Sequence, residues 1–194
     1  IGDELLVQIV RGPMGEKNIS VTTDISLSGK FIAFIPNSRD VNLSRRITNP
    51  DERKRLEEIG RNVLTNGNGM IIRTFAKGCS KEAIEKEYKM LSNVYKQIER
   101  EYKYSYAPKL LYKSNSLIER LFLDYIDSSV GEIYVEDDAE RDKFRDMIST
   151  LPGDDLKDIK IIQAQRVFEN FDIDRQVRML FDRKVELENG GFIV

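Results

Sequence analysis

The sequence predicts an α+β chain of mixed α/β character, with a small β-rich region carrying one long helix, then a stretch of alternating helices and strands. Three observations lead there. Short β-branched runs bounded by Gly, Pro and Asn fill the first third. Ile84, Tyr88, Leu91, Tyr95, Ile98 and Tyr102 recur at steps of three and four, the stripe of an amphipathic helix. Charge changes along the chain: net −1 over residues 1–23, +7 over 24–118 and −8 over 119–194. The middle can meet a polyanion and the last third would repel one.

The elements follow in order. Leu5 to Val10 reads as a strand, with a turn at Arg11-Gly12-Pro13-Met14-Gly15 and a second strand from Ile19 to Thr23. Gly29 breaks the chain before an apolar strand, Phe31 to Ile35, which Pro36 ends. Asn49 caps a helix with Pro50 at its first position and Glu52 placed for a capping box; this helix ends near Asn66-Gly67. Met70 to Thr74 is a short buried strand, Ser80 caps the long helix, and Ala107-Pro108 stops it. Leu117 to Tyr125 is helical, Glu132 to Val135 a strand, and Asp138 caps a helix to Ile148. Ile159 to Ile162 is a further strand. Asp172 caps a helix whose Ile173, Val177, Leu180 and Phe181 share a face. Asn189-Gly190 between Val185-Glu186-Leu187 and Phe192-Ile193-Val194 predicts a hairpin, both turn positions needing positive φ.

Composition narrows the chemistry. The chain has no His and a single Cys79, so the commonest general base is missing and there is no disulfide framework and no cysteine zinc site. No apolar run approaches the roughly 18 residues of a membrane span, and no leader pattern is present, so the expected compartment is cytoplasmic. The chain starts at Ile1 and stops at Val194 inside a strand, as a fragment cut at both ends would.

Val21-Thr22-Thr23-Asp24-Ile25-Ser26-Leu27-Ser28-Gly29, Leu43-Ser44-Arg45-Arg46-Ile47 and Gly69-Met70-Ile71-Ile72-Arg73-Thr74, in that order, resemble the ribonuclease E/G family of bacterial RNA-processing endonucleases. The resemblance implies the end of an OB-fold RNA-binding domain over 1–23, a 5′-sensor domain over 24–118 and an RNase H-like subdomain over 119–194. The last rests on Gly131-Glu132-Ile133-Tyr134-Val135 and Glu188-Asn189-Gly190-Gly191-Phe192-Ile193-Val194. It also implies that the DNase I-like domain, with its Mg²⁺-binding aspartates, and the paired cysteines of a Zn²⁺ link lie beyond this chain. The full-length enzyme would be a homo-oligomer. The fragment would then hold no catalytic residue and no metal of its own, would be inactive alone, and would bind single-stranded RNA bearing a 5′-monophosphate. Two departures stand out: Lys17-Asn18-Ile19-Ser20 replaces a basic Lys-Gly run, and Ala33 replaces a larger aliphatic residue.

A 5′-monophosphate is a compact dianion that calls for a planar multi-donor cation, a hydroxyl and free backbone N–H groups. Arg73 and Thr74 supply the first two; on spacing alone they read as a surface pair at a strand end, and it is the family resemblance that reverses this. Both reach one phosphate only if the strand ends there or Thr74 offers its N–H. Gly29 allows a nucleotide close to the backbone, and Ala33 would floor an apolar seat for the first base. Arg45 and Arg46, with Lys17, are candidates for RNA backbone contact, against the alternative of a solvated loop. Arg53-Lys54-Arg55 reads as a solvated face partly neutralised by Glu57 and Glu58. Tyr102, Tyr104 and Tyr106 could stack on bases, but packing at the core boundary is the expected role. Glu136-Asp137-Asp138 follows a strand as metal-binding carboxylates do; Asp124, Asp127 and Asp174 lie on helices or loops, and capping by Asp138 accounts better for the cluster. The competing readings are a non-catalytic RNA-binding or ribosome-associated module, and a scaffold using the acidic last third.

Overall fold

The computed structural model describes residues 2–64, 67–113, 116–126, 129–150, 156, 158–187 and 190–194; Asn66, Asp127, Glu188 and Asn189, named above, lie outside them. The fold class is the expected mixture of helices and small sheets. The chain divides into two compact units, Ile1–Asp124 and Tyr125–Val194.

In the first unit β1 (Gln8–Arg11) and β2 (Ser20–Thr22) form an antiparallel ribbon, with β1 three residues later than its apolar run begins. The Gln8 amide ties this ribbon onward, donating to the Ser26 carbonyl at 3.1 Å and accepting from its N–H at 2.8 Å. Next comes a four-stranded sheet ordered β3-β4-β6-β5, built from β3 (Leu27–Ser28), β4 (Ile32–Ile35), β5 (Val41–Leu43) and β6 (Gly69–Ile72). β5 and β6 run parallel, joined by helix α1 (Pro50–Val63); the other pairs are antiparallel.

Alternation along the strands separates two faces. Leu27, Ile32, Phe34, Met70 and Ile72 are buried under α1 and the long helix α2 (Lys81–Lys103). The α2 stripe supplies Ile84, Tyr88, Leu91, Tyr95 and Ile98, and Phe34 meets the Tyr88 and Tyr95 rings at 5.3 and 6.0 Å. Gly60 lets α1 lie close: a Cβ there would come within 2.6 Å of Val41 Cγ1. Ser28, Ala33 and Ile71 occupy one cross-strand row of the other face, Ile71 being exposed.

Several sequence expectations are corrected. β6 stops at Ile72, and Thr74–Ala76 form a 3₁₀ turn. α2 ends at Lys103, and Tyr104 and Tyr106 are 84% and 87% exposed where packing was expected. Only Tyr102 ties back, donating to the Glu4 carbonyl at 3.1 Å. Asn49 does cap α1, accepting from the Glu52 N–H at 3.0 Å, but Glu52 does not close the capping box. Its carboxylate takes the Arg55 guanidinium by two bonds of 2.7 Å and the Gly78 N–H at 2.9 Å. Arg53 is no solvated cation either: Nη1 donates to the Ser44 and Ile47 carbonyls at 3.1 and 2.8 Å. Glu57 pairs with Arg61. The unit closes with α3 (Leu117–Tyr125), whose N-terminus carries a reciprocal capping box between Ser116 and Glu119.

The second unit begins with a parallel βαβ unit: β7 (Glu132–Val135), α4 (Asp138–Thr150) and β8 (Lys160–Gln163). Asp137, not Asp138, caps α4, accepting from the Ala139 N–H at 2.8 Å; Asp138 is the first helical residue and pairs with Arg141 at 2.6 Å. Helices α5 (Val167–Asn170) and α6 (Ile173–Met179) follow. Asp172 precedes α6 but makes no side-chain cap; its carboxylate bonds Arg175 instead. The face expected to be buried is open, Leu180 and Phe181 both being exposed. β9 (Val185–Glu186) and β10 (Phe192–Ile193) pair as an antiparallel hairpin, with Gly190 at φ 82°. No helix of the described residues is long and apolar enough to cross a membrane.

The Arg55 partnership holds the Glu52 carboxyl down at about 2, from an ordinary 4.5; the Gly78 N–H adds to this and partial burial opposes it. A lowered acid stabilises the fold above its ordinary titration range and loses that contribution as pH falls toward 2. Glu52→Gln should therefore cost about 1 kcal/mol at pH 7, solvent screening limiting the pair, and the gap to wild type should close between pH 4.5 and 2. Thermal melts of both proteins across that range check it.

Candidate nucleic-acid interface

The sheet ends where the chain brings three segments together. Past Ile72, the Arg73 N–H still donates to the Phe31 carbonyl at 2.7 Å, and the Ser44 N–H to the Ile72 carbonyl at 2.8 Å. Arg73 is thus still held by the ladder and Thr74 opens the 3₁₀ turn beyond it, so the two side chains leave the edge separately, Arg73 toward Gly29 and Thr74 toward Ser44. Arg73 follows Ile71 by two, at the end of the open face on which Ala33 lies.

The Arg73 guanidinium is held on two sides. Nη1 donates to the Gly29 carbonyl at 2.5 Å, and Nη2 to the Asp124 carboxylate at the end of α3. The arginine side chain is 23% exposed and the aspartate 47%, so solvent reaches the pair. Thr74 turns its hydroxyl to Ser44 Oγ, 3.2 Å away. Ser44 Oγ also accepts the Arg46 N–H at 3.3 Å, and the Ile47 N–H closes a turn on the Ser44 carbonyl at 3.1 Å. With Arg53 donating into this loop and Ile47 fully buried, the 44–47 turn is fixed. Arg45 and Arg46 project from it, exposed, and among the described residues neither side chain has a hydrogen-bond or ion-pair partner. Lys17 stands apart from this cluster, in the turn between β1 and β2, where its backbone bonds Met14.

Two charged residues absent from the sequence expectations build the site. Glu87 of α2 reaches the edge of the sheet, and its carboxylate accepts the N–H groups of Lys30, Phe31 and Ile32 at 2.7, 2.8 and 2.8 Å. Burial pushes the Glu87 carboxyl up; the three N–H groups and the Arg73 charge pull it back. Gly29 packs against this carboxylate, leaving no room for a Cβ, which would fall 2.5 Å from Glu87 Cδ. The close approach at Gly29 is thus to a side chain of the protein itself.

Lys30 is the second. Only 2% exposed, its ammonium donates to the Phe122 carbonyl at 2.7 Å and lies 3.7 Å from the Phe75 ring centroid and 5.0 Å from that of Phe122. A desolvated cation–π contact contributes about 2 kcal/mol. Phe75 adjoins Thr74 and Phe122 lies two residues before Asp124, so one buried cation pins both flanks of Arg73. A charge on an otherwise apolar stripe, Glu87 between Ile84 and Leu91, was the available sequence signal. Asp124 offered none, lying 51 positions from its partner.

In the second unit, the carboxylates after β7 have structural work. Glu136 accepts the Val167 N–H at 2.8 Å, Asp137 caps α4 and Asp138 binds Arg141. Among the described residues, no three His, Cys, Asp or Glu side chains gather so as to hold a metal ion.

A methyl group at position 29 would collide with Glu87 and strip its N–H partners. Gly29→Ala should lower stability by about 2 kcal/mol, read as a shift in the denaturant midpoint at unchanged slope.

Comparison with known proteins bears on what such a site serves. The sequence model of the Ribonuclease E/G family matches residues 26–194. Ribonuclease G of Escherichia coli (strain K12) is 28% identical over 194 residues, covering 100% of this chain and 40% of that protein. Ribonuclease E of Haemophilus influenzae is 31% identical over 196 residues, covering 100% of this chain and 21% of its own length. Ribonuclease E of a Nostoc species is 29% identical over 195 residues, covering 98% and 28%. The chain spans two fifths or less of the length of these relatives. With a family match over all but the first 25 residues, this chain belongs to the ribonuclease E/G family.

Proposed function

We infer that this chain is the RNA-recognising part of an endoribonuclease and that it reads single-stranded RNA by its 5′-monophosphate. The observation that carries this is that the segments bearing Arg73 and Thr74, and Arg45 and Arg46, meet at one end of the sheet, joined by the contact between Ser44 Oγ and Thr74 Oγ1 at 3.2 Å, with the Arg73 guanidinium turned to Gly29 and Asp124. Arg73 supplies a planar fork of charge-assisted donors and Thr74 a hydroxyl. Ala33 and Ile71 form the open row on which a first base rests. Arg45 and Arg46 lie exposed for the phosphodiesters that follow. The donors outnumber what one phosphodiester needs, which favours a terminal phosphate with its extra charge and oxygens.

Binding is an exchange. Asp124 occupies one arm of the Arg73 fork, and a terminal phosphate takes its place. The carboxylate carries one charge against nearly two on the phosphate at neutral pH, and exposed pairs contribute at most about 1 kcal/mol, so the exchange runs toward RNA. Hydrolysis of the phosphodiester belongs, in this reading, to parts of the full-length enzyme beyond this chain. The described residues do not fit a magnesium site.

Two variants test the reading on one short single-stranded RNA made with a 5′-monophosphate or a 5′-hydroxyl. Charge-assisted bonds of about 1.5–3 kcal/mol, reduced by solvent, predict at least a tenfold preference for the phosphate, lost in Arg73→Ala while hydroxyl RNA binds as before. Equal binding of both ends, unmoved by the substitution, would end it. Asp124→Asn should tighten the 5′-phosphate RNA about threefold, because the competing carboxylate is gone. Fluorescence anisotropy at fixed salt reads both.

A further inference from the structure

The feature left without a function above is Glu87. A carboxylate placed on the apolar stripe of α2 is an expensive choice. Burial pushes its carboxyl up, a desolvation cost that three backbone N–H groups offset in part. Its three donors are consecutive backbone N–H groups of residues 30–32, the segment that leads into β4. That same segment holds Arg73 at both ends. The Phe31 carbonyl takes its backbone N–H at 2.7 Å, and the Gly29 carbonyl takes its guanidinium at 2.5 Å.

We propose that Glu87 is a positioning residue for phosphate recognition: by gathering the N–H groups of residues 30–32 it aims the Gly29 carbonyl at Arg73 and so sets the direction of the fork. This rests on the reading of Arg73 as the phosphate ligand. A carbonyl is a directional acceptor, and its direction follows from the peptide planes on either side. With the Lys30 and Ile32 N–H groups drawn to Glu87, the carbonyls of the same two peptides, those of Gly29 and Phe31, point the opposite way, to Arg73. Without the carboxylate, three N–H groups would turn toward water, and the Gly29 carbonyl would turn with them. Arg73 would keep its charge and its Asp124 partner but lose its fixed orientation. Glu87 also lies near enough to feel the Arg73 charge. Its negative charge works against an incoming phosphate, so a carboxylate here is favoured by geometry and not by attraction.

The test uses Glu87→Gln, Glu87→Asp and Glu87→Met in the whole chain, with the same RNA pair and with Arg73→Ala. Each variant is first shown folded by far-ultraviolet circular dichroism at low temperature. Glu87→Gln and Glu87→Met should bind 5′-phosphate RNA at least fivefold more weakly and leave 5′-hydroxyl RNA within twofold of wild type. Glu87→Asp, which keeps the charge but draws it back by one methylene, should fall between. In an Arg73→Ala background Glu87→Gln should have no further effect, since it acts through Arg73. If wild type prefers the phosphate, Arg73→Ala abolishes that preference and the Glu87 variants retain it, the positioning role is wrong and the Arg73 reading stands. Parallel weakening of both RNAs, or an effect that persists without Arg73, makes Glu87 a structural residue only. If wild type shows no preference between the two ends, the Arg73 reading fails and this role fails with it.

Discussion

One carboxylate holding three backbone N–H groups ties the first unit together. Glu87 projects from the long helix to the edge of the sheet, where β3 ends and β4 begins. The helix stripe and the sheet face supply most of the apolar burial, yet apolar contact is non-directional and would tolerate a slide along the helix. The bonds to residues 30–32 fix the register of α2 against the strands. They also force glycine at position 29, because the carboxylate occupies the space a Cβ needs.

Around that anchor, the cations divide into those the fold takes up and those left at the surface. Lys30 is fully committed inside, between two aromatic rings and a helix carbonyl, and it joins the turn after β6 to α3. Arg53 and Arg55 are likewise taken up, one by loop carbonyls and the other by Glu52. Arg45 and Arg46 are not, and the turn that carries them is held by Arg53 beneath. The positive balance of the middle segment is therefore only partly available to a polyanion. Arg45 and Arg46, part of what is available, stand at one end of the sheet, in the turn whose Ser44 contacts Thr74, the residue after Arg73.

The second unit relies on pairs of the kind that Glu57 and Arg61 form in the first. Its acidic residues pair with arginines one helical turn away, as in Asp138 with Arg141, Asp172 with Arg175 and Glu169 with Arg166. Such exposed neighbours solubilise helices and add little to stability. The run after β7 looks catalytic in sequence and is occupied with helix capping, loop anchoring and ion pairing.

Much was legible from residues alone. The Asn49 and Ser80 caps, the α2 stripe, the β7–α4–β8 alternation and the closing hairpin all follow from local preferences acting over a few positions. Arg73 and Thr74 become candidates through family resemblance, since spacing alone reads as a surface pair. Local signals misplaced the cap of α4 by one residue and overstated β6 by two, since the competition between adjacent aspartates, or between strand and turn, is settled by neighbours elsewhere. Glu87, Lys30 and Asp124 depend on contacts that span from 51 to 92 positions. A charged residue in an apolar pattern announces that it needs a partner but not which one. Only the packed chain brings a helix carboxylate to backbone N–H groups and an aspartate to a guanidinium, because those pairings require segments that share nothing in sequence to arrive at one point in space.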